Sequence, residues 1–265
     1  MIPIRDANPT RRTPWVTLAF IAANLAVFLL WQPTFGQDVD QLGFFFCNAE
    51  IPWEVSNTTN LAEGGAEARR ALDADTQGSG SGIQAYVRAE CPDKSWLLSI
   101  FVAMFLHGGW FHIAGNMLYL WIFGNNVEDR LGPLLFVAFY VLGGVAATGL
   151  QLLFDAGSTI PTVGASGAIA AVLGAYLVLF PRARVTTLVF FFLITWIELP
   201  ASVVLVVWFV LQVFSGVGQL SSEVAGGVAY WAHIGGFAFG ALTVWLFLRG
   251  RRPPAPAFPP RPDYS

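Results

Sequence analysis

Charge is scarce in this chain of 265 residues: Asp, Glu, Lys and Arg make up 12% of it, against roughly a quarter in an average soluble domain. That shortage excludes an ordinary soluble globule. Cysteine is limited to two residues, which excludes a disulfide-framework scaffold and any Cys-type zinc module. Positive charge is not in excess, since 14 basic against 17 acidic residues give a net charge of −3. With no basic patch, nucleic acid is not an expected partner. Histidine is down to three, and no cofactor is expected. Apolar residues are what the chain has in quantity. They account for 55% of the sequence, 15% is aromatic with ten Trp, and the mean hydropathy is +0.59. The expected class is a polytopic membrane protein whose surroundings are the lipid bilayer.

Six apolar stretches approach the roughly 20 residues that a helix needs to cross a bilayer: Pro14–Trp31, Trp110–Val127, Pro133–Phe154, Val163–Phe180, Leu199–Ser215 and Gly226–Leu248. Trp96–Leu106 and Val185–Ile197 are too short to cross upright and are placed in the interface or against the bundle. Basic residues support the count. Arg5, Arg11, Arg12, Arg130, Arg182, Arg184, Arg249, Arg251, Arg252 and Arg261 share one side if both termini are cytoplasmic. Only Arg69, Arg70, Arg88 and Lys94 fall opposite, in one long loop. The expected fold is an all-α, six-transmembrane helical bundle in a multi-pass membrane protein; composition names no compartment, and the plasma membrane is expected by analogy alone.

The expected organisation is a cytoplasmic segment 1–13, a six-span domain 14–250 and a Pro-rich cytoplasmic tail 251–265. An acidic outer loop, 32–95, is inserted in that domain, and its Gly64-Gly65 and Gly78–Gly82 segments read as a flexible linker. Cys47 and Cys91 both lie in this loop, where one bridge and two free thiols are equal alternatives. The loop at 216–227 is rich in Gly and Ser, which makes the fifth stretch the expected gate for lateral access.

Ionisable groups inside a membrane are costly and are functional candidates by default. His107, His112 and His233 all lie in or beside the apolar stretches, and Asn116 follows His112 by four positions, on the same helical face. Ser166 stands in Gly164-Ala165-Ser166-Gly167. His112 precedes Glu128 by 16 positions, as Ser166 precedes Arg182 and His233 precedes Arg249. At 1.5 Å rise, each group lies roughly 24 Å from the cytoplasmic boundary. One hydroxyl, two imidazoles and a carboxamide are thus expected in one layer. A serine and a histidine there can act as nucleophile and base, with His112, Asn116 and the Ser166 N–H as oxyanion donors. No carboxylate shares that depth, so packing is expected to orient the imidazole.

The ordered motifs His107-x4-His112-x3-Asn116, Glu128-Asp129-Arg130, Gly164-Ala165-Ser166-Gly167 and Ala232-His233-x2-Gly236-x3-Gly240 resemble those of the rhomboid intramembrane serine proteases. The resemblance implies Ser166 as nucleophile, His233 as general base, and His112 and Asn116 in the oxyanion hole. It also implies transmembrane protein substrates cleaved near their outer end. Members of that family commonly carry an aromatic residue four places after the nucleophile. This chain has Ala170 there, so Tyr230 or Trp231 is expected to orient His233.

Plainer roles are assigned to other residues. Gly236 and Gly240 are expected to bring two helices together, Glu128 and Arg130 to form a structural cap, and His107 to tie down a loop. Two alternative functions follow from the same residues: a non-proteolytic relative that binds membrane segments, and a metal site built from His107, His112 and His233.

Overall fold

The computed structural model describes residues 2–33, 38–190, 194–220 and 228–249. The Pro-rich tail and most of the loop at 216–227 lie outside the described residues.

A short strand, β1 (Ile2–Asp6), leads into α1 (Trp15–Ala26), which continues through a π-helical turn, Val27–Trp31. Helix α1 has no side-chain cap of its own. The Glu128 carboxylate fills that role from far along the chain, accepting from the backbone N–H of Val16 (3.0 Å) and Thr17 (2.7 Å) and from Thr17 Oγ1 (2.7 Å). A carboxylate at a helix N-terminus satisfies orphan donors and complements the dipole, as expected of Glu128 as a cap.

Four helices follow: α2 (Asp38–Asn48), α3 (Pro52–Asn57), α4 (Gly65–Asp75) and α5 (Gly80–Glu90). They enclose a small core of Phe46, Ile51, Trp53, Leu61, Leu72 and Val87. The linker expectation is therefore wrong for Gly64-Gly65 and Gly78–Gly82, which start or join packed helices. Gly80 shows why: a Cβ there would lie 2.7 Å from that of Leu72, so the missing side chain lets α4 and α5 approach. Of the two cysteine alternatives, the bridge is the one present, joining Cys47 to Cys91. A buried ion pair, Lys94 Nζ to Glu54 Oε2 at 2.6 Å, closes the subdomain.

Beyond it lie α6 (Trp96–Ala103), α7 (Trp110–Tyr119), a π-helical turn at Leu120–Gly124, α8 (Asn125–Leu131) and α9 (Pro133–Asp155). Next come α10 (Ser166–Leu179), strands β2 (Arg184–Phe190) and β3 (Ile194–Pro200), then α11 (Ala201–Leu220) and α12 (Tyr230–Arg249). Segments Pro133–Asp155, Ala201–Gly218 and Tyr230–Leu248 are helices long and apolar enough to cross a membrane, while Trp15–Trp31 and Ser166–Leu179 are shorter apolar helices. The protein is a mostly helical membrane protein.

An all-α fold is not what forms. The described residues of the stretch Val185–Ile197 belong to the antiparallel pair β2–β3, with Val185 opposite Leu199 and Thr187 opposite Ile197, and β1 adds to β2 as a third strand. Val, Thr, Ile and aromatic residues dominate β2 and β3, a composition that suits a pleated, half-buried surface. Span length alone does not register it.

Helix α10 forms the centre of the bundle, with every residue from Gly167 to Tyr176 buried. Its partner α12 touches it backbone to backbone. A Cβ on Gly236 would run into the carbonyl oxygen of Gly167, and one on Gly240 into that of Ala171. These glycines therefore pack the two helices together, as expected, and bring the first turn of α12 beside the start of α10.

Candidate active site

Ser166 is the first residue of α10, and His233 lies in the first turn of α12. The close packing of these helices leaves His233 Nε2 at 2.7 Å from Ser166 Oγ. Helix α12 is held there by Gln151 of α9, whose Oε1 accepts from the Ala232 N–H at 3.2 Å.

The second imidazole, His112, lies near the start of α7. Its Nδ1 accepts from the Gly108 N–H at 3.1 Å, so in the neutral ring Nε2 carries the proton and can donate. The Nε2 side faces Gly164, whose φ is +131°, a conformation that L side chains rarely adopt. A Cβ at Gly164 would lie 2.9 Å from His112 Nε2 and 3.4 Å from Ser166 Oγ. Glycine thus keeps open a space that borders both groups. The Gly164 N–H donates to the Ala103 carbonyl at 2.9 Å, which fixes the segment entering α10. Asn116, one turn beyond His112, is buried, and among the described residues its Nδ2 has no hydrogen-bond partner.

Ser166, His233, His112 and Asn116 line one cavity of about 620 Å³. All four residues singled out from the sequence are therefore brought together. His107 is not one of that lining set; its backbone is clamped by Gln32, which accepts from its N–H at 3.0 Å and donates to its carbonyl at 2.5 Å. This fits a loop anchor. Among the described residues no three His, Cys, Asp or Glu side chains form a metal-binding group, so the three imidazoles do not gather as the metal alternative requires.

The imidazole of His233 is oriented differently from the sequence expectation. Trp231 stacks on Phe154 instead, with ring centroids 3.7 Å apart. The ring beside His233 is Trp208 of α11, at 5.9 Å. One turn further along the same helix, Gln212 Oε1 lies 2.8 Å from His233 Nδ1. Packing alone therefore does not orient the ring; a neutral amide contacts it as well. A signal for Gln212 was present, since it is the one carboxamide in the apolar run Ala201–Gly218, where polar groups are costly.

Glu50, from the segment between α2 and α3, also borders the cavity. Its carbonyl accepts from the Thr162 N–H at 2.7 Å, which joins the helical subdomain to the segment leading into Ser166. Burial pushes its carboxyl up to about 7; Lys94 opposes the rise, while Glu54 and Asp155 add to it.

A family model described as a rhomboid domain matches residues 94–250. Among curated proteins, the chain is 31% identical to "Rhomboid protein 1, mitochondrial" of Saccharomyces cerevisiae, over 62% of this chain and 45% of that protein. It is 31% identical to "RHOMBOID-like protein 4" of Arabidopsis thaliana, over 89% of this chain and 53% of that protein. Identity to "Presenilin-associated rhomboid-like protein A, mitochondrial" of Danio rerio is 33%, over 37% and 26% respectively. The chain thus spans about half or less of the length of these relatives. Two of them are named as mitochondrial, so the expectation of a plasma membrane gains no support.

Proposed function

The chain belongs to the rhomboid family, and from that premise and the Ser166–His233 contact we propose that it is an intramembrane serine endopeptidase acting on transmembrane proteins. In this reading His233 Nε2 takes the Ser166 hydroxyl proton as Oγ attacks the scissile carbonyl carbon. The tetrahedral oxyanion occupies the space beside Gly164, where His112 Nε2–H, Asn116 Nδ2–H and the Ser166 N–H donate to it. Collapse breaks the C–N bond, and His233 returns the proton to the leaving amine. Water, deprotonated by the same imidazole, then hydrolyses the acyl-enzyme and restores the Ser166 hydroxyl.

The observation that carries this reading is the 2.7 Å approach of Ser166 Oγ and His233 Nε2, in a cavity that also holds the Asn116 amide Nδ2, which has no partner among the described residues. The six-span arrangement, with both termini on one face, belongs to the same proposal, as does cleavage near the opposite face. Its support is the charge distribution and the common depth of the polar layer.

The test is cleavage of a reconstituted transmembrane substrate, together with labelling by a serine-directed fluorophosphonate. Ser166→Ala and His233→Ala are each expected to abolish labelling and to lower cleavage by several orders of magnitude, because members of a catalytic unit fail together. Undiminished cleavage by Ser166→Ala would remove the assignment. A wild-type chain that neither cleaves nor labels would leave the segment-binding reading instead.

A further inference from the structure

We propose that Gln212 is a positioning residue for His233, holding the imidazole with its proton on Nδ1 so that Nε2 is free to act as base. The inference deepens the protease reading and rests on it. A neutral imidazole has one N–H and one lone pair, and its hydrogen-bond partners decide which nitrogen carries which. Ser166 can give up its proton only to an Nε2 that bears the lone pair. The hydrogen must then sit on Nδ1, 2.8 Å from the Gln212 Oε1, which can only accept. In the opposite tautomer two lone pairs would face each other at that distance.

Among the described residues, the groups that face His233 are Ser166 of α10, Trp208 and Gln212 of α11, and His112 of α7. None of these is a carboxylate. In a Ser-His-Asp triad the acid fixes the tautomer and also stabilises the imidazolium. Gln212 performs the first task without the charge needed for the second. Trp208, one turn earlier on the same face of α11, supplies the ring contact that Ala170 cannot. Ala170 itself is turned towards α12, its Cβ 3.3 Å from where a side chain on Gly236 would begin. One helix thus carries both the hydrogen-bond acceptor and the ring for the base.

The test compares full-length wild type with Gln212→Leu and Gln212→Glu, following kcat, KM, their pH profiles and fluorophosphonate labelling. Gln212→Leu keeps most of the volume and removes the acceptor. It should lower kcat and the labelling rate about 10- to 100-fold, with KM changed less than about twofold. Gln212→Glu keeps the acceptor and adds charge. It should retain most of kcat and move the acid limb of its pH profile upward by about one unit, because a carboxylate favours the imidazolium. Wild-type rate and profile in Gln212→Leu would overturn the proposal. So would a Gln212→Glu profile that does not shift, which decides the matter even if the leucine variant does not fold. Labelling lost in Ser166→Ala but kept in Gln212→Leu would sink the positioning role and leave the protease reading intact.

Discussion

Ser166 and His233 are separated by 67 positions and lie on different helices, yet their Oγ and Nε2 atoms are 2.7 Å apart. That distance is set by residues with no chemistry of their own. Gly236 and Gly240 let α12 lie against the carbonyls of α10, and Gln151 holds the first turn of α12 from α9. Gly240→Ala would insert a methyl where a backbone carbonyl already stands, at a site that cannot yield by rotating a side chain. Overpacking of this kind costs about 1–3 kcal/mol. The expected result is a lower unfolding temperature in detergent and slower labelling of Ser166, although residue 240 lies about two turns from the cavity.

The space beside Gly164 gives a second prediction. Gly164→Ala would place a carbon within 2.9 Å of His112 Nε2 and force a side chain onto a φ of +131°. Cleavage should fall by at least two orders of magnitude while the fold persists. Asn116→Ala removes one donor without filling the space, and should lower kcat about 10²- to 10³-fold with little change in KM. Steady-state kinetics on a transmembrane substrate separate the two.

The Cys47–Cys91 bond closes a separation of 44 residues that runs from the end of α2 through α3, α4 and α5. Chain-entropy arguments give a loop of this length about 4 kcal/mol of stabilisation. Cys47→Ser with Cys91→Ser should unfold the subdomain at lower denaturant concentration, measured by urea titration. Activity should fall as well, since the Glu50 carbonyl supports the segment that enters α10.

Glu50 predicts a pH dependence of stability. Its carboxyl ionises at about 7 in the folded chain, against an ordinary glutamate value of about 4.3 when unfolded. Between those values the folded protein holds a proton that the unfolded chain has lost. Stability therefore falls as pH rises through that window and levels off above it. The loss is on the order of 3 kcal/mol at one site. Glu50→Gln, neutral throughout, should unfold at a temperature that lacks this decline and exceed wild type at pH 8.

Much of the site was legible in the sequence because intramembrane polar groups are few and their spacing on helices is regular. His112, Ser166 and His233 each stand 16 positions from a charged boundary, and Asn116 follows His112 by four on the same helical face. Gln212 does mark itself in sequence as the one carboxamide of an apolar run, but an amide carries no charge and so does not point to an imidazole partner as a carboxylate would. Trp208 was missed because a tryptophan in an apolar helix has no distinctive spacing. The subdomain of α2–α5 was misread because glycines that permit helix packing look, in sequence, like glycines of a linker. The β2–β3 pair was read only as an apolar stretch of insufficient length, since a hydropathy window does not separate alternation from continuity.

Ser166 and the amide that contacts His233 lie on different helices: Ser166 on the buried α10, Gln212 on α11, whose apolar stretch is only 22% buried. An outward swing of α11 to admit a substrate would withdraw the amide and the Trp208 ring from the imidazole. The rate at which a fluorescent phosphonate modifies Ser166 would then serve as a docking gauge, fast with α11 seated and slow with it displaced, and would allow the gate to be timed without any substrate.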